Sequence, residues 1–263
     1  MFRKKLLLIG KNSFISTNIY SRLKKKLFIK KISFEKFKKY KKNKINKFDY
    51  ICNCSITKNY IKKKYELKSD LDFYIAHKIK ELSPKFIFLS SRKIYPSKAN
   101  LKESTQPSPK DIYSKNKLIS EYKIKEALNN NLIILRISNI IGKPLKNKRR
   151  KVSNTFIDNF FKYKKHNIIF YENHFKDFLS IDQFTKIFYE ILRVNPNGLF
   201  NVSLGKKIYI SEIIKPLNKK RLIKFQKTLI KKRDSFYLNN QKLKKIIKIK
   251  INKKDLLDYC SKI

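Results

Sequence analysis

Little in the chain could staple, chelate or cross a membrane. Three cysteines in 263 residues, Cys52, Cys54 and Cys260, form no pairable framework, which excludes a small disulfide-built scaffold. Cys52 and Cys54 fall inside an apolar strand pattern rather than among histidines and carboxylates, so all three read as reduced core residues of a cytosolic protein. His77, His166 and His174 are scattered without metal-ligand spacing, and no metal site is expected. The longest apolar runs, such as Leu6–Gly10 and Leu132–Leu135, fall far short of a membrane span, and Met1-Phe-Arg-Lys-Lys5 enters the first strand without a cleavable leader pattern. A cytoplasmic location away from membranes is the expectation.

Acidic residues are also few: 19 Asp and Glu stand against 66 Lys and Arg, a formal net charge of +47. Such a balance ordinarily suggests nucleic acid or an anionic surface. Here the charge is nearly all lysine, is spread from Lys4 to Lys262, and comes with heavy use of isoleucine and asparagine, as AT-rich coding would impose on any fold. Solvated lysine faces are therefore the reading, and nucleic acid is not an expected partner. The cluster Lys146-Asn-Lys-Arg-Arg-Lys151 is the exception, read as a basic loop in the second half of the chain.

What is present alternates. Strand patterns at Lys5–Ile9, Leu27–Ser33, Asp49–Cys54, Lys85–Ser91 and Leu132–Ile137 enclose helical patterns at Ser13–Lys24, Leu71–Leu82 and Ile112–Ala127. That rhythm predicts an α/β fold, a doubly wound parallel sheet with helices on both faces. The Lys38–Lys47 stretch reads as a connection. After Ser138 the rhythm changes: Val152–Tyr163, Asp182–Val194 and Ser211–Leu217 read as helices, Asn167–Tyr171 and Leu199–Val202 as short strands. Residues 1–140 are expected to form a dinucleotide-binding domain and 141–263 a smaller, interleaved α/β lobe for substrate.

Two motifs carry chemistry. Lys5-Leu-Leu-Leu-Ile9 runs into Gly10-Lys-Asn-Ser-Phe-Ile-Ser16, a strand–glycine turn–helix opening that lets backbone amides and a helix N-terminus meet a pyrophosphate. Tyr113-Ser-Lys-Asn-Lys117 sets a tyrosine and a lysine one helical turn apart, after Ser90-Ser91 at the end of the apolar run Phe86-Ile-Phe-Leu89. On a helix, residues i and i+4 share a face, so Tyr113 and Lys117 point the same way. A phenol titrating near pH 10 becomes a usable proton donor or acceptor when a neighbouring ammonium favours its phenolate. Tyr-x-x-x-Lys alone is weak evidence in a lysine-rich chain, where an aromatic packed on a helix beside a solvated lysine is the commoner meaning.

With the motifs taken in order, the chain resembles the extended short-chain dehydrogenases/reductases, the NAD-dependent epimerase/dehydratases that act mostly on nucleotide-activated sugars. Gly10–Ser16 is similar to the family's Gly-x-x-Gly-x-x-Gly turn, Asp49–Cys54 to its fourth-strand segment under the cofactor, and Ser90-Ser91 with Tyr95 to its Ser-Ser-x-x-x-Tyr motif. Leu135-Arg-Ile-Ser-Asn-Ile-Ile-Gly142, Lys176-Asp-Phe-Leu-Ser-Ile-Asp182 and Gly198-Leu-Phe-Asn-Val202 follow in the expected order. The resemblance implies a Rossmann-type fold, NAD or NADP as cofactor, a nucleotide-sugar substrate and a homodimer built on helices including Ile112–Ala127. It implies catalytic roles for Ser91, Tyr113 and Lys117: Tyr113 moving the proton, Lys117 holding the nicotinamide ribose and lowering the tyrosine pKa, Ser91 bonding the same substrate oxygen. Gly10, Ser13, Phe14, Ile15, Cys54, Ser55 and Ser90 would line the cofactor together with Tyr113 and Lys117. Ser91, Asn139 and Lys176 would meet the substrate. Plain structural roles are favoured for Arg136, paired with a carboxylate such as Asp182 or Glu121, and for Asp177, capping a turn.

The chain departs from the pattern in three places. Ser13 and Ser16 replace the second and third turn glycines, and a side chain at Ser16 is expected to hold the helix slightly farther from the strand or the phosphates. No acidic residue ends the second strand, where Lys30 and Lys31 precede Glu35, so NAD and NADP both stay open. Lys176 stands where the family usually has arginine, which weakens bidentate recognition of a diphosphate. Ser91 is followed by Arg92-Lys93 rather than the Asp-Glu pair of sugar 4,6-dehydratases, which disfavours dehydration. The compact stretch between Phe48 and Lys85 looks more like the 4-ketoreductases than the longer 4-epimerases. Two other classes stand beside this enzyme: a catalytically weak relative binding nucleic acid through its lysine surface, and a cofactor-sensing regulator without turnover. The serines in the turn and the charge favour the first of these; no feature supports the second.

Overall fold

The structure is a computed structural model, which describes residues 3–142, 168–171, 174–218, 225–228 and 234–263. The Lys146–Lys151 cluster, the Val152–Tyr163 helix and the first residue of the Asn167–Tyr171 strand lie outside the described residues.

Alternation of apolar runs with amphipathic helices produces a six-stranded sheet. In chain order the first half holds β1 (Lys5–Ile9), α1 (Phe14–Leu23), β2 (Phe28–Ile32), α2 (Phe34–Lys38), α3 (Lys42–Ile45), β3 (Tyr50–Asn53) and α4 (Lys58–Lys62). It continues with α5 (Leu71–Ile79), β4 (Lys85–Ser91), α6 (Ile112–Leu128) and β5 (Leu132–Ile137), and β10 (Gly198–Val202) returns from the second half to complete the sheet. The strand order is β10-β5-β4-β3-β1-β2, with β1 parallel to both β2 and β3 and β3 parallel to β4. After β2 the chain therefore crosses β1 to lay β3 on its other side. That crossing is a topological switch point, where open α/β sheets bind ligands outside the strand ends. Four consecutive buried residues in β1, Leu6 to Ile9, and four in β3, Tyr50 to Asn53, explain the unbroken apolar runs: both faces of these strands are covered.

Two compact units divide the contacts. The first comprises residues 1–96, 106–136 and 191–200, the second 97–105, 137–190 and 201–263. The core of the first includes Leu7, Ile9, Phe37, Ile51, Ile75, Phe86, Phe88 and Ile134. The Lys38–Lys47 connection contains the whole of the short helix α3, which drops Ile45 into this core.

The second unit pairs β6 (Asn139–Ile141) in parallel with β9 (Phe178–Ser180), and β8 (Phe175–Lys176) antiparallel with β11 (Ile208–Tyr209). Strand β7 (Ile168–Tyr171) pairs in parallel with β12 (Phe225–Thr228). The remaining helices are α7 (Ile181–Val194), α8 (Ile210–Asn218), α9 (Gln241–Ile246) and α10 (Lys253–Lys262), with α8 packed on α10. At the centre of this unit Asp177, fully buried, accepts the backbone N–H groups of Leu204, Gly205 and Leu238 at 3.0, 3.1 and 3.2 Å. Burial pushes its carboxyl up to about 7, with the three backbone donors pulling the other way. Asp177→Asn, which turns one acceptor into a donor facing an N–H, is expected to lower the stability of this unit by about 1–3 kcal/mol in denaturant titrations.

Among the described residues no helix is long and apolar enough to cross a membrane. The three cysteines are free; Cys52 and Cys260 are buried, whereas Cys54 is only half-buried at the end of β3 and is not a core residue.

Candidate active site

The turn after β1 is tied down from both sides. Gly10 has φ +98°, and a Cβ there would lie 2.9 Å from both the Cys54 carbonyl carbon and the Ser55 nitrogen. Its N–H and that of Lys11 both donate to the Ile32 carbonyl at the end of β2. Strand ends β1, β2 and β3 thus converge on one backbone knot, and Gly10→Ala would strain both the torsion and the approach of Cys54 and Ser55. We expect the alanine variant to melt several degrees lower, since it introduces strain on the order of 1–3 kcal/mol.

Ser13 caps α1, its hydroxyl accepting the Ser16 N–H at 3.1 Å. The Ser16 hydroxyl folds inward: it is fully buried and donates to the Gly10 carbonyl at 2.5 Å. The serines stitch the turn to the helix with hydrogen bonds the glycines could not make. They also occupy one first-turn amide, that of Ser16, and leave Phe14 and Ile15 at the helix start. Cys54 and Ser55 flank the turn; Ser55 donates its N–H and its hydroxyl to Asn53 Oδ1 at 3.0 and 2.8 Å.

Helix α6 carries the tyrosine and lysine because its start is fixed. Asp111 and Ser114 form a reciprocal capping box: Ser114 N–H donates to Asp111 Oδ1 at 2.7 Å, and Asp111 N–H to Ser114 Oγ at 3.1 Å. Tyr113 thereby falls in the first turn, half-buried, with the Lys93 ammonium 5.9 Å from its ring centroid. Among the described residues no side chain or backbone group hydrogen-bonds the Tyr113 hydroxyl. Ser91, at the end of β4, is partly exposed and accepts the Lys93 N–H at 3.2 Å. Its neighbour Ser90 faces inward and donates to Glu121 Oε1. Glu121 in turn holds Arg136 through Nε at 3.1 Å and Nη2 at 2.7 Å, and the Arg136 guanidinium lies over the Tyr95 ring at 4.6 Å.

Lys117 is the surprise. A lysine in so basic a chain reads as solvated, yet this one is 6 % exposed, with its ammonium 4.4 Å from the Phe88 ring centroid and 5.6 Å from that of Tyr60. Its counter-ion is Asp72, in the first turn of α5, at 3.0 Å. Asn53 Nδ2 donates to the other Asp72 oxygen at 2.8 Å, so both oxygens accept, the pattern of an ionised carboxylate; burial raises the pKa of this carboxyl, with Lys117 and Asn53 pulling the other way. Burial pulls the lysine pKa down, but the Asp72 carboxylate above all outweighs it and holds the ammonium above its ordinary range. Sequence reasoning missed Asp72 and Asn53. An Asp in the first turn of a helix reads as a complement to the helix dipole, and nothing local says that a lysine 45 positions away will reach it.

A second polar network seats α6 on the segment before it. Asn116 Nδ2 donates to the carbonyls of Tyr60 and Lys63 at 2.8 and 2.9 Å, and Ser120 joins Tyr60 and Asp70 through contacts of 2.6 Å. Asp70 also accepts the Tyr65 hydroxyl at 2.9 Å.

Asn139 and Lys176 belong to the second unit. Asn139 Nδ2 donates to the Asp177 carbonyl at 3.3 Å, and Lys176 pairs loosely with Asp234 at 3.4 Å. Ser91 thus lies at the end of β4 and Tyr113 and Lys117 on α6, while Gly10 follows β1, Ser13, Phe14 and Ile15 open α1, and Cys54 and Ser55 follow β3.

No curated protein sequence matches the chain. Among solved structures it is similar to a UDP-N-acetylglucosamine 4-epimerase from Methanobrevibacter ruminantium M1 in complex with UDP-N-acetylmuramic acid, at TM-score 0.73 and 19% identity, covering 99% of this chain and 97% of that one. A dTDP-4-dehydrorhamnose reductase from Bacillus anthracis in complex with NADP gives TM-score 0.74 at 14% identity, covering 98% of each chain. A UDP-glucose 4-epimerase from Bifidobacterium longum in complex with NAD+ and UDP gives 0.73 at 14%, covering 98% of this chain and 97% of that one. At such identities the likeness establishes the Rossmann-like α/β fold. The sequence itself carries the remaining step, because residues 41–203, more than half of the chain and the span holding β3, β4, Tyr113 and Lys117, match the family model for NAD dependent epimerases/dehydratases. The chain therefore belongs to the NAD dependent epimerase/dehydratase family.

Proposed function

We propose that the protein is an NAD- or NADP-dependent oxidoreductase or epimerase acting on a nucleotide-activated sugar. The observation that carries this reading is a buried ammonium, Lys117, held one helical turn from a tyrosine whose hydroxyl has no hydrogen-bond partner among the described residues. The names of the structural neighbours, UDP-sugar epimerases and a 4-dehydrorhamnose reductase, supply the substrate class.

The residues fit a dinucleotide. The turn at Gly10, with its positive φ, leads directly into a helix start at Phe14 and Ile15, the arrangement in which a phosphate meets backbone amides at a helix N-terminus. Cys54, Ser55 and Ser90 belong to the same proposed site, with Lys117 reaching a ribose. When bound, the nicotinamide gives or takes the hydride. Tyr113 moves the proton on the reacting sugar oxygen, Ser91 hydrogen-bonds that oxygen, and Lys117 keeps the phenolate accessible. In the second unit, Asn139 and Lys176 are the proposed contacts to the substrate's phosphates. Arg92-Lys93 after Ser91 offers no acid–base pair for elimination, so reduction or epimerisation is favoured over dehydration, and the short span between Phe48 and Lys85 favours a 4-ketoreductase.

Isothermal titration of the purified protein with NADH and NADPH tests the reading. Saturable binding of one of them with a dissociation constant below about 1 mM is expected, in the range of ordinary enzyme substrates. Absence of heat with both, alongside tight and salt-resistant binding of a structured nucleic acid, would transfer the function to the lysine surface.

A further inference from the structure

Lys117 has a counter-ion placed where the proposed proton-transfer site would feel it. We propose that Asp72 is a positioning residue: through the buried ion pair with Lys117, braced by Asn53, it keeps the lysine charged and fixed, so that Tyr113 retains a cation able to stabilise its phenolate. The inference rests on the reading of Tyr113 as the proton-transfer group, and it names the residue on which that group's acidity depends.

The argument is geometric. Asp72 and Lys117 side chains are each 7% exposed and 3.0 Å apart, on different helices. An ammonium so buried cannot draw on water for its charge, and without a partner it sheds its proton more readily. Asp72 cannot swing away, because its second oxygen accepts Asn53 Nδ2 at 2.8 Å, and Asn53 is itself pinned by Ser55. The same bracing links the ion pair to the backbone beside Gly10, since Ser55 N is one of the atoms that a Cβ on Gly10 would strike.

Other groups face the pair from each neighbouring element. Tyr60 lies on α4, Cys52 on β3, Asp70 at the head of α5 and Tyr113 on α6 itself. Tyr60 is held in its neutral form chiefly by burial and Cys52 likewise, so neither substitutes for the carboxylate. Asp70 is engaged by Ser120, Tyr65 and the Phe73 N–H. Asp72 is the anion in hydrogen-bond contact with the ammonium.

The test needs no substrate. Phenolate absorbance is titrated in the full-length protein, and the curve of Tyr113→Phe is subtracted to isolate Tyr113. In Asp72→Asn the Tyr113 midpoint should rise by about one unit or more, the size of effect an adjacent charge exerts. In a Lys117→Met background the same Asp72→Asn substitution should move it no further. An unchanged or lowered midpoint in Asp72→Asn, or an equal shift with Lys117 absent, overturns the proposal. Should Asp72→Asn fail to fold, side-chain 15N spectra of the unsubstituted protein decide. Lys117, identified by the signal lost in Lys117→Arg, must stay protonated beyond the pH near 10.4 at which exposed lysines titrate; titration with or before them refutes the idea. Failure of the parent reading looks different: full turnover in Tyr113→Phe with the titration shifts intact.

Discussion

Tyr113→Phe is expected to lower turnover of a 4-keto or 4-hydroxy nucleotide sugar by about 10²–10⁴-fold, the range for removal of a general acid–base group. The ring stays, and among the described residues the hydroxyl contributes no hydrogen bond to the fold. Stability should therefore change by no more than about 0.5 kcal/mol, and NAD(P)H affinity should be nearly preserved. Steady-state rates on UDP- and dTDP-hexose substrates, beside a thermal melt and a cofactor titration, separate these quantities. Wild-type rates in the variant would reduce the Tyr113–Lys117 pair to a helix face and Ser91 to a strand end.

Lys117→Met is expected to act on the fold as well as on the site. It leaves the Asp72 carboxylate buried without its counter-ion, and breaking one side of a buried pair costs about 3–5 kcal/mol. Adding Asp72→Asn removes the stranded charge, so the double variant should regain much of that loss. Activity should not return with it, because the ammonium that favours the phenolate is still missing, and the remaining rate should have its optimum displaced to higher pH. Chemical denaturation of the single and double variants measures the first effect; cofactor affinity and pH–rate profiles measure the second. If the double variant is as unstable as the single one, the pair contributes packing rather than charge.

The sheet was legible because its strands carry their own signature. Leu6–Ile9 and Phe86–Leu89 are apolar without alternation, the pattern of strands covered on both faces. The short helices were not legible: α2, α3 and α4 have five, four and five residues, too few for a hydrophobic period to emerge among their lysines and asparagines. The crossing from β2 over β1 to β3 is a tertiary choice with no local sign. In the site, the one-turn spacing of Tyr113 and Lys117 follows from the sequence, because helical geometry translates it directly into a shared face. The environment of Lys117 does not follow, since burial by Phe88 and Tyr60 and pairing with Asp72 draw on three other elements. At Ser16 the sequence showed the side chain but not its partner: the hydroxyl donates to the Gly10 carbonyl within the turn, a contact that no local pattern announces.

With 66 basic residues and 19 acidic ones, the chain's tolerance of substitution is lopsided. Among the described residues four acids, Asp70, Asp72, Glu121 and Asp177, are buried, and each organises several partners: a helix cap with two hydroxyls, an ion pair, an arginine clamp, and three backbone amides. An exposed lysine here can drift to asparagine or arginine and disturb little beyond its own solvation. A buried carboxylate has no stand-in of the same shape and charge. Loss-of-function changes should therefore concentrate in these four buried carboxylates rather than in the lysines that dominate the composition.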